Sequence, residues 1–182
     1  MAQPTLSAWT EGKAPLRLVE QTVAKDAPDP KALACYGLLV RWADAWTGQQ
    51  EEVWLRFADG QPVSGVTCDF LDWCCQKLAA AGLTALLLVW DNASWHTSHA
   101  VRQWIGKRNR TVKRSGTGVR IVNCPLPTKS PWLNPIEPKW VHGKRRVVEP
   151  ARLLSAREVE DRVCAAFGCS PEAHLTIPEK AS

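Results

Sequence analysis

The sequence lacks a long apolar segment: in 182 residues the longest purely apolar run extends only from Ala85 to Trp90. A membrane-spanning helix needs about 18 to 20 apolar residues. The N-terminal residues also lack the basic flank and apolar core of a secretory signal. We therefore expect a cytoplasmic protein that has no membrane as a partner.

A regular cysteine framework is also missing. The chain has seven cysteines, an odd number, without a pair of C-x-x-C sequences. This pattern indicates reduced and mostly buried thiols. A zinc site built from Cys68, Cys74, Cys75, His96 and His99 is disfavoured, because adjacent cysteines on a helix point in different directions.

No strong excess of one charge sign is present, since the formal net charge is +5. The cations nevertheless form two blocks that suit a phosphate backbone. On charge alone, a solvated basic face is the more common explanation of such blocks. As candidate DNA-binding residues they comprise Lys107, Arg108, Arg110, Lys113, Arg114, Lys144, Arg145 and Arg146.

The pattern of the first half predicts an antiparallel hairpin followed by a helix. Residues 1–33 are rich in proline and are expected to be irregular. Two strands, Ala34 to Trp42 and Glu51 to Phe57, flank a turn that contains Gly48. A helix capped by Asp69 should follow and end at Gly82.

The second half predicts parallel strands. The run from Leu83 to Trp90 shows no alternation, which is typical of a central strand covered on both faces. A short helix should begin at Thr97 or Ser98 and stop at Gly106, and a basic loop should lead to a strand from Gly118 to Cys124. A strand, a helix and a strand in this order form a right-handed parallel crossover. The predicted fold class is α/β with a mixed sheet.

Two later helices have clear start signals. Asn134, Pro135 and Glu137 match a helix N-cap, first position and third position. The apolar side of this helix should comprise Ile136, Trp140 and Val141. A last helix should open with Ser155 and Glu158 as a capping box, and the chain beyond Gly168 is expected to fray.

Asp91 and Glu137 are the residues with the strongest functional pattern. Asp91 ends the predicted central strand, and ligands bind beyond the carboxyl ends of strands in open α/β sheets. Glu137 opens a helix, whose dipole favours an ionised carboxylate. If the two carboxylates converge, Mg²⁺ is the natural cation between them. Taken singly, Asp91 is more often a turn residue and Glu137 a capping residue.

Two longer motifs change this balance. "VWDNASWHTS", from Val89 to Ser98, resembles the second-aspartate motif of mariner-like insertion-sequence transposases. "LPTKSPWLNPIEPKWVHGKR", from Leu126 to Arg145, resembles the glutamate motif of the same family, which carries the DDE superfamily endonuclease domain. The strands "KALACYGLLVRW" and "EEVWLRF" resemble those that precede these motifs. The likeness covers roughly Trp9 to Phe167.

The resemblance implies a ribonuclease-H-like fold, a mixed sheet flanked by helices, shared with retroviral integrases. It implies that Asp91 and Glu137 are the second and third members of an acidic triad that binds two Mg²⁺ or Mn²⁺ ions. Water and then a DNA 3′-hydroxyl would attack phosphates during cut-and-paste transposition. Double-stranded DNA, as transposon ends and target, and a second copy in a homodimer would be the partners. The positions that shape the site would be Asn92, His96, Asn134 and Pro135.

The sequence departs from the family at its start. The first aspartate of the triad lies upstream of a Trp and a Gly that Trp9 and Gly12 resemble, so it would fall before Met1. Glu20 is a poor replacement, and the helix-turn-helix region is also absent. We expect residues 1–33 to be a remnant of the domain start, 34–168 a partial catalytic domain whose first strand is missing, and 169–182 a tail.

Three functions follow from the resemblance. The chain is the catalytic half of a transposase that needs an upstream transposase segment, or an inactive relic that binds DNA weakly or interferes with an intact transposase. A host nuclease of the same fold is less expected, because its motifs would not include "SPWLNPIE". In the first two cases the isolated chain should be inert, because two acids cannot hold both ions.

Overall fold

A computed structural model describes residues 8–9, 15–16, 32–44, 48–147 and 152–176. The first two strands, β1 (Ala8–Trp9) and β2 (Pro15–Leu16), pair antiparallel. The rest of the N-terminal segment predicted to be irregular, including Glu20, lies outside the described residues. No helix within the described ranges is long and apolar enough to cross a membrane.

The predicted hairpin is confirmed. Strands β3 (Leu33–Asp44) and β4 (Gly48–Asp59) pair antiparallel over their full length, from Leu33 opposite Asp59 to Asp44 opposite Gly48. Gly48 begins β4 with a positive φ of 79°, a conformation that glycine adopts without strain. Because the pairing is regular along both strands, successive side chains point to opposite faces of the hairpin.

Helix α1 (Ser64–Ala80) begins earlier than its predicted cap at Asp69, which lies exposed inside the helix. Val63 at the N-cap position makes no side-chain cap. The Tyr36 hydroxyl of β3 instead accepts a hydrogen bond from the Val63 N–H at 3.0 Å. The prediction of an Asp69 cap was wrong because a tertiary contact, which local sequence does not report, fixes the start. The predicted end at Gly82 is confirmed by its φ of 77°.

The parallel pair is confirmed, but its predicted burial is wrong. Strands β5 (Ala85–Trp90) and β6 (Arg120–Pro125) pair parallel across α2 (Ser94–Thr97) and α3 (His99–Ser115). The side chains of β5 alternate, so that Leu88 is buried while Leu87 is 64% exposed. Within the described ranges β5 pairs with β6 alone, and the predicted central position is not observed.

Helix α3 continues through Gly106 to Ser115, so the predicted stop and the predicted basic loop were both wrong. The second half of the helix is held by the neighbouring strand. The side chain of Asn109 donates to the Ile121 carbonyl and accepts from the Ile121 N–H, each at 2.8 Å. These two bonds offset the helix cost of Gly106, about 1 kcal/mol, and they occupy both backbone groups of Ile121 in β6.

The remaining elements are the 3₁₀ turn η1 (Pro131–Leu133), α4 (Glu137–Val147) and α5 (Ala156–Phe167). The Ser155 and Glu158 capping box is confirmed in α5. Helix α4 starts at Glu137 and not at Pro135 as predicted, because Asn134 forms a turn ahead of it through the Glu137 N–H at 3.0 Å. Val141 is 48% exposed, which corrects its predicted place on the apolar side.

Two buried clusters cover the two faces of the hairpin. One joins β3 and β4 to α1, β5, α3 and β6, and the other joins the opposite hairpin face to α4 and α5. Phe57, at 1% exposure, lies in the second cluster. The described residues thus form a mixed α/β architecture in which the hairpin and the parallel pair are separate two-stranded sheets.

Of the segment after Gly168, the structure describes residues 169–176, and these are anchored by Ala173, His174 and Leu175, contrary to the expectation of fraying. The Leu175 N–H donates to the Phe57 carbonyl at 2.7 Å, and Arg56 binds the Ala173 carbonyl. His174 contacts Asp59 at 2.9 Å and the buried carboxylate of Glu160 at 3.1 Å.

Candidate active site

Asp91 lies directly after β5, where the chain turns into α2. Its Oδ1 accepts hydrogen bonds from the Ala93 N–H at 3.0 Å and from His96 Nδ1 at 2.8 Å. Its Oδ2 has no hydrogen-bond partner among the described residues, and the side chain is 43% exposed. The turn therefore fixes the carboxyl group through one oxygen and leaves the other accessible.

His96 is itself held on two sides. Its ring stacks on the Trp90 ring at 4.8 Å with an angle of 12° between the planes. The Trp90 Nε1 donates to Asn123 Oδ1 of β6 at 2.7 Å. Because β5, α2 and β6 each contribute one member, the orientation of Asp91 depends on the parallel pair as a whole.

Asn92 connects the same turn to the chain that leaves β6. Its Nδ2 donates to the Leu126 carbonyl at 2.6 Å, and the Leu126 N–H donates to the Trp90 carbonyl at 2.8 Å. These two bonds connect the turn that follows β5 to the start of the segment that leads to Glu137. Asn92 and His96 thus have contacts suited to the site-shaping role, which stays a prediction, as do the roles of Asn134 and Pro135.

Glu137 is the first residue of α4 and is half-buried. The helix is held against the hairpin by Trp140, which lies so close to Gly37 that a Cβ there would be 2.6 Å from the ring. Lys139 adds an ion pair to Glu51 of β4 at 2.5 Å. Lys139 and, second, Arg41 hold the pKa of the Glu51 carboxyl below its usual value. Glu137 is therefore positioned by the hairpin.

The two candidate acids are not bonded to each other. No hydrogen bond or ion pair between Asp91 and Glu137 occurs in the described chain, which also contains no group of three or more His, Cys, Asp or Glu side chains suited to a metal. Each nevertheless has a carboxylate oxygen without a protein partner in the described ranges, and such hard oxygens are the ligands that Mg²⁺ prefers. The pair fits the chemistry of the ion but does not complete a site.

Most of the predicted DNA-binding residues are exposed. On α3 these are Lys107, Arg110, Lys113 and Arg114, and at the end of α4 they are Lys144, Arg145 and Arg146. Arg108 differs, because it is half-buried, pairs with Asp72 and lies 5.5 Å from the centre of the Trp104 ring. Arg108 therefore joins α3 to α1. The other cations have a structural effect too, because positive charges in the last turn of a helix interact favourably with its dipole.

The cysteines of α1 are part of the core. Cys74 and Cys75 are fully buried, and burial raises the pKa of both thiols. Burial likewise raises the pKa of Cys68 to about 11. These side chains stay protonated at neutral pH, whereas a metal ligand must be a thiolate.

Sequence reasoning missed Asn123 and Arg102. Asn123 holds Trp90, and Arg102 lines a cavity beside His96 together with Asn92, Thr97 and Thr128. The only signal for Asn123 is a polar residue inside a strand. For Arg102 there was none, since it stands apart from both basic blocks.

In this α/β architecture, Asp91 follows the end of strand β5 and Glu137 opens helix α4. Residues 59–160, more than half of the chain, match the family described as DDE superfamily endonuclease. The chain therefore belongs to the DDE superfamily endonucleases. The matched range includes both Asp91 and Glu137, and DDE endonuclease domains act on DNA. No curated protein matches the chain.

Proposed function

We propose that this chain is the catalytic part of a mariner-like transposase, which cuts and joins double-stranded DNA in cut-and-paste transposition. The observation that carries the proposal is the Asp91 turn. One carboxylate oxygen is fixed by Ala93 and His96, and the other is accessible at the end of β5. The family match supports the same reaction class.

Asp91 and Glu137 would hold the divalent ions that DDE endonucleases generally use, Mg²⁺ or Mn²⁺. When bound, the ions supply Lewis acidity at the attacked phosphate. His96 is a positioning residue, since its Nδ1 bond and its stacking on Trp90 restrict the rotation of the Asp91 carboxyl. A neutral side chain at Asp91 would keep the turn bond and lose the charge that attracts the ion.

An upstream transposase segment would supply the first aspartate. On the outer edge of β6 the Asn109 side chain binds the backbone of Ile121, whereas the other edge of the pair, along β5, has no strand beside it in the described ranges. Leu87, Val89 and Val122 also leave one face of the pair exposed. A strand inserted beside β5 would unite the hairpin and the parallel pair in one ribonuclease-H-like sheet and bring a third carboxylate.

The exposed cations of α3 and α4 would bind DNA phosphates, and a homodimer would hold both transposon ends. The alternative is an inactive relic that interferes with an intact transposase by mixed assembly. Both alternatives keep Asp91 and Glu137. The nucleotide sequence upstream distinguishes them, because an open frame that encodes an Asp-bearing strand supports the enzyme and an unrelated flank supports the relic.

The test is a Mn²⁺ titration followed by electron paramagnetic resonance. It compares the chain, a version extended through the upstream frame, and their Asp91→Asn and Glu137→Gln variants. Asp161→Asn, which removes an exposed acid of α5, is the matched control. We expect two ions in the extended protein, a loss in both site variants and no loss in the control.

The short chain alone should not cleave DNA. Robust Mg²⁺-dependent cleavage by the pure chain, abolished by Asp91→Ala, would contradict the need for an upstream acid. Equal Mn²⁺ binding by the extended protein and its Asp91→Asn variant would refute the proposed metal site itself.

A further inference from the structure

A cavity of about 380 Å³ lies beyond the carboxyl ends of β5 and β6. Its wall includes Trp90, His96, Thr97, Arg102, Asn123 and Thr128. Neither Asp91 nor Glu137 lines it, so it is separate from the candidate metal ligands. His96 connects the two places, because it lines the cavity and binds Asp91. We propose that this cavity binds a DNA phosphodiester that neighbours the cleaved one.

The charge of the cavity favours an anion. Arg102 is the single Lys or Arg in its wall, and no carboxylate lines it. The Arg102 side chain makes no hydrogen bond or ion pair with the residues that the structure describes. Arg108, which follows Arg102 on α3, is instead paired with Asp72. A guanidinium without a protein partner keeps its planar set of donors for an oxyanion such as phosphate.

Neutral donors accompany the arginine. The Trp90 indole N–H can only donate, so its bond to Asn123 assigns the oxygen of that amide and leaves the amide NH₂ as a donor. Thr128 adds a hydroxyl that has no protein partner in the described ranges. One cation with neutral donors is the arrangement expected for a singly charged phosphodiester.

The aromatic rings make a nucleobase the less suitable ligand. Trp90 is only 7% exposed, and its face is covered by the His96 ring. Because base stacking needs an accessible aromatic face, the Trp90 ring offers no platform for a base. The expected ligand is therefore the backbone and not the base, and the site should not depend on sequence.

This inference rests on the proposed function, since it names a contact of the same substrate. The test measures binding of the full chain to a fluorescent DNA duplex by anisotropy, in EDTA and over a range of salt concentrations. Arg102→Gln is compared with Arg157→Gln, which removes one exposed charge from α5. Arg102→Lys, which keeps the charge but not the planar donors, is the second variant.

We expect Arg102→Gln to weaken binding about tenfold, the loss of one charge-assisted contact. It should also reduce the slope of log K against log salt by about 0.9, the value for one phosphate. Arg102→Lys should lose less affinity and keep the slope, and Arg157→Gln should resemble the wild type. Equal losses in Arg102→Gln and Arg157→Gln, or no DNA binding by the wild type, would overturn the subsite.

A Mn²⁺ titration of the extended protein separates the two proposals. If Asp91→Asn loses the ions while Arg102→Gln keeps both ions and full DNA affinity, the subsite alone is wrong. If Asp91→Asn keeps the ions, the proposed metal site is wrong, whatever Arg102 does. Thermal melting of each variant confirms that the fold is intact.

Discussion

The hairpin β3–β4 and the parallel pair β5–β6 are covered differently. Both faces of the hairpin are buried, one against α1 and the other against α4 and α5. The parallel pair is buried on one face and leaves Leu87, Val89 and Val122 exposed on the other. In β4 the adjacent residues Trp54 and Leu55 are therefore both core residues, whereas in β5 Leu88 is buried and the adjacent Leu87 is exposed.

This difference also divides the candidate site. Glu137 belongs to a helix held by the hairpin, and Asp91 belongs to the turn after the parallel pair. The well-covered sheet can position its acid with rigid packing. The open pair positions its acid with hydrogen bonds and one stacked ring, which leaves one edge and one face for further contacts.

The largest expected effects come from truncating buried side chains of the strands. Leu55→Ala in β4 and Leu88→Ala in β5 should each lower the free energy of unfolding by about 2 to 5 kcal/mol, because each removes a buried side chain. Leu87→Ala, next to Leu88 but exposed, should change it by less than about 0.5 kcal/mol. Urea unfolding measures all three.

In β4, in contrast to β5, truncating either of two adjacent residues should destabilise the protein. Trp54→Ala, beside Leu55 and also buried, should destabilise by about 3 to 5 kcal/mol. A large loss in Leu87→Ala would mean that the outer face of β5 is covered in solution, and the comparison of the two sheets would fail.

A smaller effect is expected where the C-terminal segment holds the hairpin. His174→Ala leaves the carboxylate of Glu160, a residue only 3% exposed, without the hydrogen bond that His174 provides. We expect a loss of about 1 to 3 kcal/mol in unfolding free energy. Arg157→Ala, which breaks the exposed pair with Asp161 on the same helix, should cost less than about 0.5 kcal/mol. Similar values for both variants would show that the segment does not stabilise the hairpin.

The smallest expected change in stability concerns the N-terminal cap of α5, the helix that packs on one face of the hairpin. A hydrogen bond from Arg152 and, second, the Ser155 N–H lower the pKa of Glu158 from 4.5 to about 2. The folded state thus favours the ionised form, and its contribution is present above pH 4.5 and lost as the pH falls toward 2. The stability difference between wild type and Glu158→Gln, from urea unfolding at several pH values, should shrink over that range. A difference that stays constant would exclude this origin.

Local sequence was sufficient for the elements whose signals are local. The hairpin, the parallel crossover, and the cap and Gly168 end of α5 all follow from turn residues, apolar runs, the order of elements and capping chemistry. The errors occurred where distant residues decide. Tyr36 sets the start of α1, and Asn109 keeps α3 helical past Gly106.

The sequence was sufficient to name the residues of the candidate site, but not to predict the contacts between them. The motifs include Asp91, Glu137 and their neighbours, yet the bond between His96 and Asp91 and the stacking on Trp90 depend on the tertiary fold. The exposed face of β5 was missed because an uninterrupted apolar run carries no information about which side is covered.

The anchoring of Ala173 has a consequence for the order of synthesis. Its carbonyl binds Arg56, a residue 117 positions earlier, and the adjacent His174 contacts Asp59. The ribosome synthesises this segment long after the hairpin. Until then, the Phe57 carbonyl at the edge of β4 and the Arg56 guanidinium lack the hydrogen bonds that the segment provides. Contacts of such sequence separation slow folding. A nascent or prematurely terminated chain would therefore expose that edge to other strands.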